Sequence, residues 1–111
     1  MKKLIACAVA MTVSAPCFAQ DHGVIWGSGA TSCGNFLAEF DGHNYSAVSL
    51  DVSWVLGYLT AMNAERTVNK RLPLKYADPN TITAYLVKHC RDNPLHVVFD
   101  GTLALTIDLS Q

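Results

Sequence analysis

The middle of the chain reads Ala47-Val48-Ser49-Leu50-Asp51-Val52-Ser53-Trp54-Val55-Leu56-Gly57-Tyr58-Leu59-Thr60-Ala61-Met62. Apolar residues recur here at helical spacing, which predicts a long helix over roughly Ala47–Arg66. Its main apolar stripe consists of Leu50, Trp54, Gly57, Tyr58 and Ala61. The apolar surface is widened around the helix by Val48, Val52, Val55, Leu56, Leu59 and Met62. A helix that is apolar over so much of its circumference is either central to a core or covered by a partner.

A glycine in the middle of this helix needs a reason, because it costs up to about 1 kcal/mol relative to alanine. We expect Gly57 to allow another helix to approach closely beside Trp54 and Tyr58. Few other helices are available to cover the segment, which predicts that part of it forms a dimer or partner interface. The predicted partner-binding residues are Val48, Trp54, Val55, Tyr58, Leu59 and Met62. The alternative is that the last helix of the chain covers this face entirely.

Shorter helices are predicted before and after the central one. The first covers Cys33–Phe40, and Thr31 or Ser32 is its N-cap. The third begins at Asp78-Pro79, an N-cap followed by a proline at the first helical position. The apolar face of this third helix comprises Ile82, Tyr85, Leu86, His89 and Cys90. Between the second and third helices, Asn63–Tyr76 is polar and is predicted to be a long exposed loop.

The last part of the chain is predicted to be a fourth helix that continues to about Leu109, with Asn93 as its cap and Pro94 as its first residue. Gly101 and several β-branched residues weaken this helical pattern. A strand in the Val97–Phe99 or the Leu103–Ile107 segment therefore stays an alternative. The sequence predicts an all-α fold, a small bundle of about four helices that forms a single domain over residues 31–111.

Residues 1–19 have the order of a cleavable secretory signal peptide. Met1-Lys2-Lys3 is a basic start, an apolar run follows, and the segment ends in Pro16-Cys17-Phe18-Ala19. The apolar run is too short for a membrane span, which takes about 20 residues. A buried N-terminal helix and lipid attachment at Cys7 or Cys17 are weaker alternatives. We therefore expect a protein exported to the periplasm or secreted.

Cleavage of this signal changes the cysteine count, because Cys7 and Cys17 leave with it. Cys33 and Cys90 remain, and two thiols in an oxidising compartment are expected to pair. Closing a loop of this length stabilises a fold by about 4 kcal/mol in the chain-entropy model. The alternative is a pair of free buried thiols.

The charge composition argues against nucleic-acid binding. The chain has 8 Lys and Arg against 9 Asp and Glu, a formal net charge of −1. Basic residues do not cluster beyond Lys70-Arg71, so nothing in the pattern neutralises a phosphate backbone. No apolar run after the signal is long enough to span a membrane.

No constellation of residues predicts an enzyme or a cofactor. Gly27-Ser28-Gly29 lacks the Gly-x-Ser-x-Gly pattern of a nucleophile elbow. The four histidines, His22, His43, His89 and His96, do not have the spacing of metal ligands. His89 adjoins Cys90, and a disulfide would remove that thiol as a nucleophile. We expect His89 to be a partly exposed residue near a helix C-terminus, where protonation is favourable.

Residues 20–30 are polar and glycine-rich and are predicted to be a flexible lead-in, with Trp26 as the one large anchor. Cleavage after Ala19 would leave Gln20-Asp21-His22 at the amino terminus. An α-amine, two backbone amides and the imidazole of His22 can form a square-planar nitrogen site, which Cu(II) and Ni(II) favour. Gln20, Asp21 and His22 are therefore a candidate metal site. The alternative is a histidine that falls at the third position by chance.

Two short segments resemble the HdeA-type (HdeA/HdeB-like) periplasmic acid-stress chaperones. Thr31-Ser32-Cys33-Gly34-Asn35-Phe36-Leu37-Ala38 is similar to the Cys-x-x-Phe-Leu start of that family, and Val87-Lys88-His89-Cys90-Arg91-Asp92 is similar to its second cysteine segment. The resemblance spans about residues 31–109. It implies a helical fold tied by one disulfide. It also implies a homodimer at neutral pH that dissociates in acid and binds unfolding client proteins through its former interface.

A second resemblance implies a different role. Trp54-Val55-Leu56-Gly57-Tyr58-Leu59-Thr60-Ala61, with Tyr85-Leu86 and Asn93-Pro94, is similar to the small Rap/Tai-type immunity proteins that neutralise secreted amidase toxins. The chain also has fewer charged residues than the acid-stress chaperones. The first functional expectation is therefore an HdeA-like protein that binds clients. The alternative is a specific interaction protein, such as a toxin antidote or an accessory of a secretion or conjugation apparatus.

Overall fold

A computed structural model describes residues 23–110 of the chain. The bounds of its four α-helices are α1 Cys33–Asp41, α2 Tyr45–Val68, α3 Pro79–Asp92 and α4 Val98–Leu109. A short 3-10 helix, Gly27–Ala30, precedes them. These described residues contain no strand, only an isolated bridge between Ser32 and Val97. The predicted all-α fold is confirmed, and the strand alternative for the last segment is wrong.

Polar side chains begin the first three helices, as the sequence predicts for α1 and α3. Ser32 is the N-cap of α1, and its hydroxyl accepts from the backbone N–H of Asn35 at 3.1 Å. Asn44 caps α2 by accepting from the N–H of Ala47 at 3.3 Å. Asp78 caps α3 with a bond of 2.7 Å from the N–H of Thr81. Each bond satisfies a backbone donor that has no partner inside its own helix.

The predicted start of α4 at Asn93-Pro94 is wrong, because the helix begins at Val98. Asn93 instead ends α3, where its backbone and side-chain N–H groups both donate to the carbonyl of His89. Pro94 and Leu95 form a turn, which the His96 N–H closes by donating to Asn93 C=O. The chain then pairs with residues 31–33, with Cys33 N–H donating to His96 C=O and Val98 N–H to Thr31 C=O. A helix cannot begin until this pairing ends.

The predicted exposed loop over Asn63–Tyr76 is also partly wrong. Helix α2 continues to Val68, because no proline or glycine interrupts it before Pro73. Beyond the helix, the chain folds back on it. The backbone N–H of Leu74 donates to the side chain of Asn63 at 2.8 Å, and Leu74 is buried. This segment therefore contributes to the core.

The core lies between the four helices and surrounds one disulfide. Its buried apolar residues are Cys33, Phe36, Val48, Val52, Val55, Leu59, Leu74, Ile82, Leu86, Cys90, Val98 and Leu105. The predicted Cys33–Cys90 disulfide is confirmed, with Cα atoms 4.9 Å apart at a sequence separation of 57. It ties α1 to α3, and both cysteines are fully buried.

Two predictions concern residues before α1. The predicted signal peptide at 1–19 lies outside the described residues. In the described part of the lead-in, Gly27–Ala30 forms a 3-10 helix and Gly29 is buried. The predicted flexibility of residues 20–30 stays a prediction. Within residues 23–110, no helix combines the length and apolar character needed to cross a membrane.

Candidate binding surface

Four aromatic side chains from three parts of the chain form a partly exposed cluster. Trp54 and Tyr58, one turn apart on α2, stack with ring centroids 5.8 Å apart. Phe99 of α4 meets both rings edge-on, at 6.3 Å from Trp54 and 5.8 Å from Tyr58. Trp26 lies beside them and is 79% exposed. With Val24 and Ile25, these residues line a shallow groove of 450 Å³, which we call the aromatic surface.

The aromatic surface is fixed in place by the segment before α1. The indole N–H of Trp54 donates to the backbone carbonyl of Trp26 at 2.7 Å. Gly29 lies directly under the same ring, and a Cβ atom at this position would be 2.4 Å from it. Only glycine therefore fits at position 29, and the Trp54 ring is held between α2 and the 3-10 helix.

The six predicted partner-binding residues separate into two groups. Trp54, Tyr58 and Met62 are partly buried at the edge of the core. Val48, Val55 and Leu59 are buried in the core, so their assignment to a partner-binding surface is corrected. They project toward α1, α3 and α4 because a helix in a four-helix domain places one broad face inward. Whether the other three bind a partner stays a prediction.

Trp26 and Phe99 were not among the predicted partner-binding residues. Trp26 was recognisable as a large apolar residue in a polar segment. Such a residue either packs on its own domain or binds another molecule. Phe99 carried no such signal, because its position beside Trp54 depends on how α4 packs against α2. Neither helix pattern alone contains that information.

The expected reason for Gly57 is wrong in the described structure. Gly57 is exposed, and a Cβ atom there would meet nothing within 4 Å. It belongs to an uncharged outer strip of α2, formed by Ser49, Leu50, Ser53, Gly57, Thr60, Ala61 and Ala64. Leu50, which is 68% exposed, is the one large apolar residue in this strip.

Ion pairs and one tyrosine link the outer surfaces of the helices. Arg91 of α3 donates to both carboxylate oxygens of Asp41 on α1, at 2.7 and 3.2 Å, and this holds the pKa of Asp41 below its usual value. Tyr85 of α3 donates to Asp108 of α4 at 2.6 Å. Burial, and then this carboxylate, raises the pKa of Tyr85 to about 12.

A pair of histidines joins the end of α3 to the turn before α4. His89 Nε2 and His96 Nδ1 are 3.0 Å apart, within hydrogen-bond distance, so one ring donates and the other accepts. Burial, and then the proximity of His96, lowers the pKa of His89, although Asp100 and Asp92 oppose the shift. The expectation that protonation of His89 is favourable is therefore wrong. The helix dipole is outweighed by the loss of water around the ring.

The described residues offer no ready metal site. Within residues 23–110, no group of three or more His, Cys, Asp or Glu side chains is arranged to hold a metal ion. The candidate copper or nickel site at Gln20, Asp21 and His22 lies outside these residues and stays a prediction.

No family model, curated protein or solved structure matches this chain. The similarity to HdeA-type chaperones and to Rap/Tai-type immunity proteins therefore rests on the short segments quoted above.

Proposed function

We propose that the chain is an exported HdeA-like protein that binds other proteins through the aromatic surface, and that acid increases the exposure of this surface. The observation that supports the proposal is the cluster of Trp26, Trp54, Tyr58 and Phe99. Tryptophan and tyrosine contribute disproportionately to protein–protein binding, because each buries a large area with few rotatable bonds.

The proposed acid response is supported by how Phe99 is held. Phe99 covers Trp54 and Tyr58 from α4. Helix α3 is joined to the turn before α4 through His89–His96, and to α4 itself through Tyr85–Asp108. Protonation of both histidines removes the acceptor from their hydrogen bond. Movement of α4 would then uncover Trp54 and Tyr58, while the disulfide still ties α1 to α3.

The test follows aggregation of a client protein by light scattering. The acidic arm uses an acid-unfolded client at about pH 3, and the neutral arm uses a heat-unfolded client at pH 7. The wild type should suppress aggregation at acidic pH. Trp26→Ser should suppress it several-fold less, because Trp26 is the most exposed ring of the surface. Leu95→Ser is the matched control, since Leu95 is 95% exposed but lies outside the aromatic surface. A wild type that is inert toward clients at acidic pH, or equal losses in both variants, would contradict the proposal.

A second candidate is a specific interaction protein, and the fixed position of Trp54 favours it. A ring held by a hydrogen bond and by Gly29 is preorganised for one partner. A photo-crosslinking amino acid at position 26 separates the candidates, with position 95 as the control site. One discrete adduct in cells at neutral pH would support a specific partner. Many adducts that form only after acidification would support client binding.

A further inference from the structure

Two carboxyl groups face each other where α1 packs against α2. Glu39 lies near the end of α1, and Asp51 lies two turns into α2, where it is only 4% exposed. Glu39 Oε2 and Asp51 Oδ2 are shielded from solvent, and neither accepts a hydrogen bond from a conventional donor. Glu39 as a whole is partly exposed. Two ionised carboxylates with these oxygens shielded would still repel each other with little water to screen them.

No cation of the described chain resolves this repulsion. The ion pairs within residues 23–110 include neither Glu39 nor Asp51. The charged groups of the packed helices are engaged elsewhere, since Asp41 of α1 pairs with Arg91 of α3, and Lys88 pairs with Asp92. The hydroxyl of Thr31 donates to Asp51 Oδ1 at 3.3 Å, which leaves Oδ2 for Glu39.

A metal ion is a poor fit for this pair. Calcium takes six to eight oxygen ligands, and magnesium takes six and keeps several waters. Only the two carboxylates and one hydroxyl are available here, and the oxygens without a donor are closed to solvent. A proton needs no such space.

We propose that Glu39 and Asp51 share one proton, and that the resulting carboxyl–carboxylate hydrogen bond holds α1 against α2. Glu39 carries the proton and donates to Asp51, so both shielded oxygens gain a partner. Burial, and then the charge of Asp51, raises the pKa of Glu39. The inference does not depend on the proposed function, because it concerns the folded chain without a partner.

The pH dependence follows from the direction of this shift. The folded chain binds the proton more tightly than the unfolded chain does. The contact therefore contributes its full stability below the usual carboxyl pKa, and loses it as the pH rises through the raised pKa of Glu39. Acid strengthens the contact between α1 and α2.

The direct test is a ¹³C NMR titration of the side-chain carboxyl groups in the full mature chain. Glu65 is the matched reference, because it is a half-exposed glutamate that pairs with Arg71. Glu39 should titrate at least about one pH unit above Glu65, a tenfold difference in proton affinity. In Asp51→Asn, the Glu39 midpoint should fall, since the repelling charge is gone and the amide can donate. A Glu39 midpoint equal to that of Glu65 in the wild type would overturn the proposal, whether or not Asp51→Asn folds.

Stability measurements on two variants provide a second test. Glu39→Gln keeps a donor for Asp51, so its unfolding midpoint at pH 7 should equal or exceed that of the wild type and depend less on pH. Glu39→Ala removes the donor and should be less stable than Glu39→Gln at the same pH. Equal losses in both variants at pH 7 would contradict a shared proton.

Discussion

The contact between α1 and α2 and the contact between α3 and α4 respond to acid in opposite directions. Glu39 and Asp51 are a carboxyl pair whose hydrogen bond requires a proton, so acid strengthens it. His89 and His96 require one neutral ring, so acid breaks their bond. Each pair joins two like groups of which one is shielded from water, Asp51 fully and His89 in part. The pairs differ in whether the added proton removes a charge or creates one. Acid should therefore open this domain at α4 first.

The largest expected effect comes from the Cys33–Cys90 disulfide, because it ties α1 of the first contact to α3 of the second. Replacing both cysteines, Cys33→Ala with Cys90→Ala, should lower the free energy of unfolding by about 2–5 kcal/mol, because the unfolded chain is no longer closed into a loop. Urea denaturation followed by circular dichroism measures this loss. Reduced wild-type protein is the control and should lose a similar amount. A variant as stable as the oxidised wild type would show that the disulfide adds nothing to the fold.

A pair of glycine variants probes the α3–α4 contact. A Cβ atom at Gly101 would be 3.0 Å from Leu86 and 3.2 Å from His89, which costs about 1–3 kcal/mol in crowding. Alanine regains up to about 1 kcal/mol of helix propensity, so Gly101→Ala should destabilise by up to about 2 kcal/mol. Gly57→Ala is the control, because a Cβ atom at position 57 would meet nothing within 4 Å. This variant should stabilise α2 by up to about 1 kcal/mol. Thermal unfolding at pH 7 measures both. A destabilising Gly57→Ala would contradict the open surroundings of this residue.

The smallest expected effect concerns the histidine pair. Because the pKa of His89 is lowered in the folded chain, its contribution to stability is complete above the usual histidine pKa of about 6.5 and is lost as the pH falls. His96→Asn removes the neighbouring ring and should raise the pKa of His89 in an NMR titration. The slope of stability against pH below neutrality should then be shallower. An unchanged pKa of His89 in this variant would contradict the assigned coupling.

The sequence predicted the number and order of the helices because capping residues and apolar spacing are local signals. Ser32 and Asp78 act as the caps that their positions indicated. The start of α4 could not be obtained in this way, because His96 is held by backbone pairing with Cys33, more than 60 residues earlier in the chain. Its N-terminal turn is held by the side chain of Asp100, which accepts from the N–H of Val97 at 2.9 Å.

The candidate site was less predictable than the fold. Trp54 and Tyr58 were singled out from the sequence, but spacing could not separate the buried apolar residues of α2 from those that face the surface. Gly29 has its role only because α2 places Trp54 against it. The carboxyl and histidine pairs likewise form between elements that are distant in sequence or separated by a turn.

Hydrogen exchange measured by mass spectrometry tests the acid opening of α4 most directly. Protection would be compared at pH 7 and at about pH 4.5, on either side of the usual pKa of a histidine, after correction for the intrinsic exchange rate. The account predicts that amides of α4 lose protection at the lower pH, while those of α1 and the first half of α2 keep theirs. Equal loss of protection in both regions, or a loss that begins at α1, would contradict it.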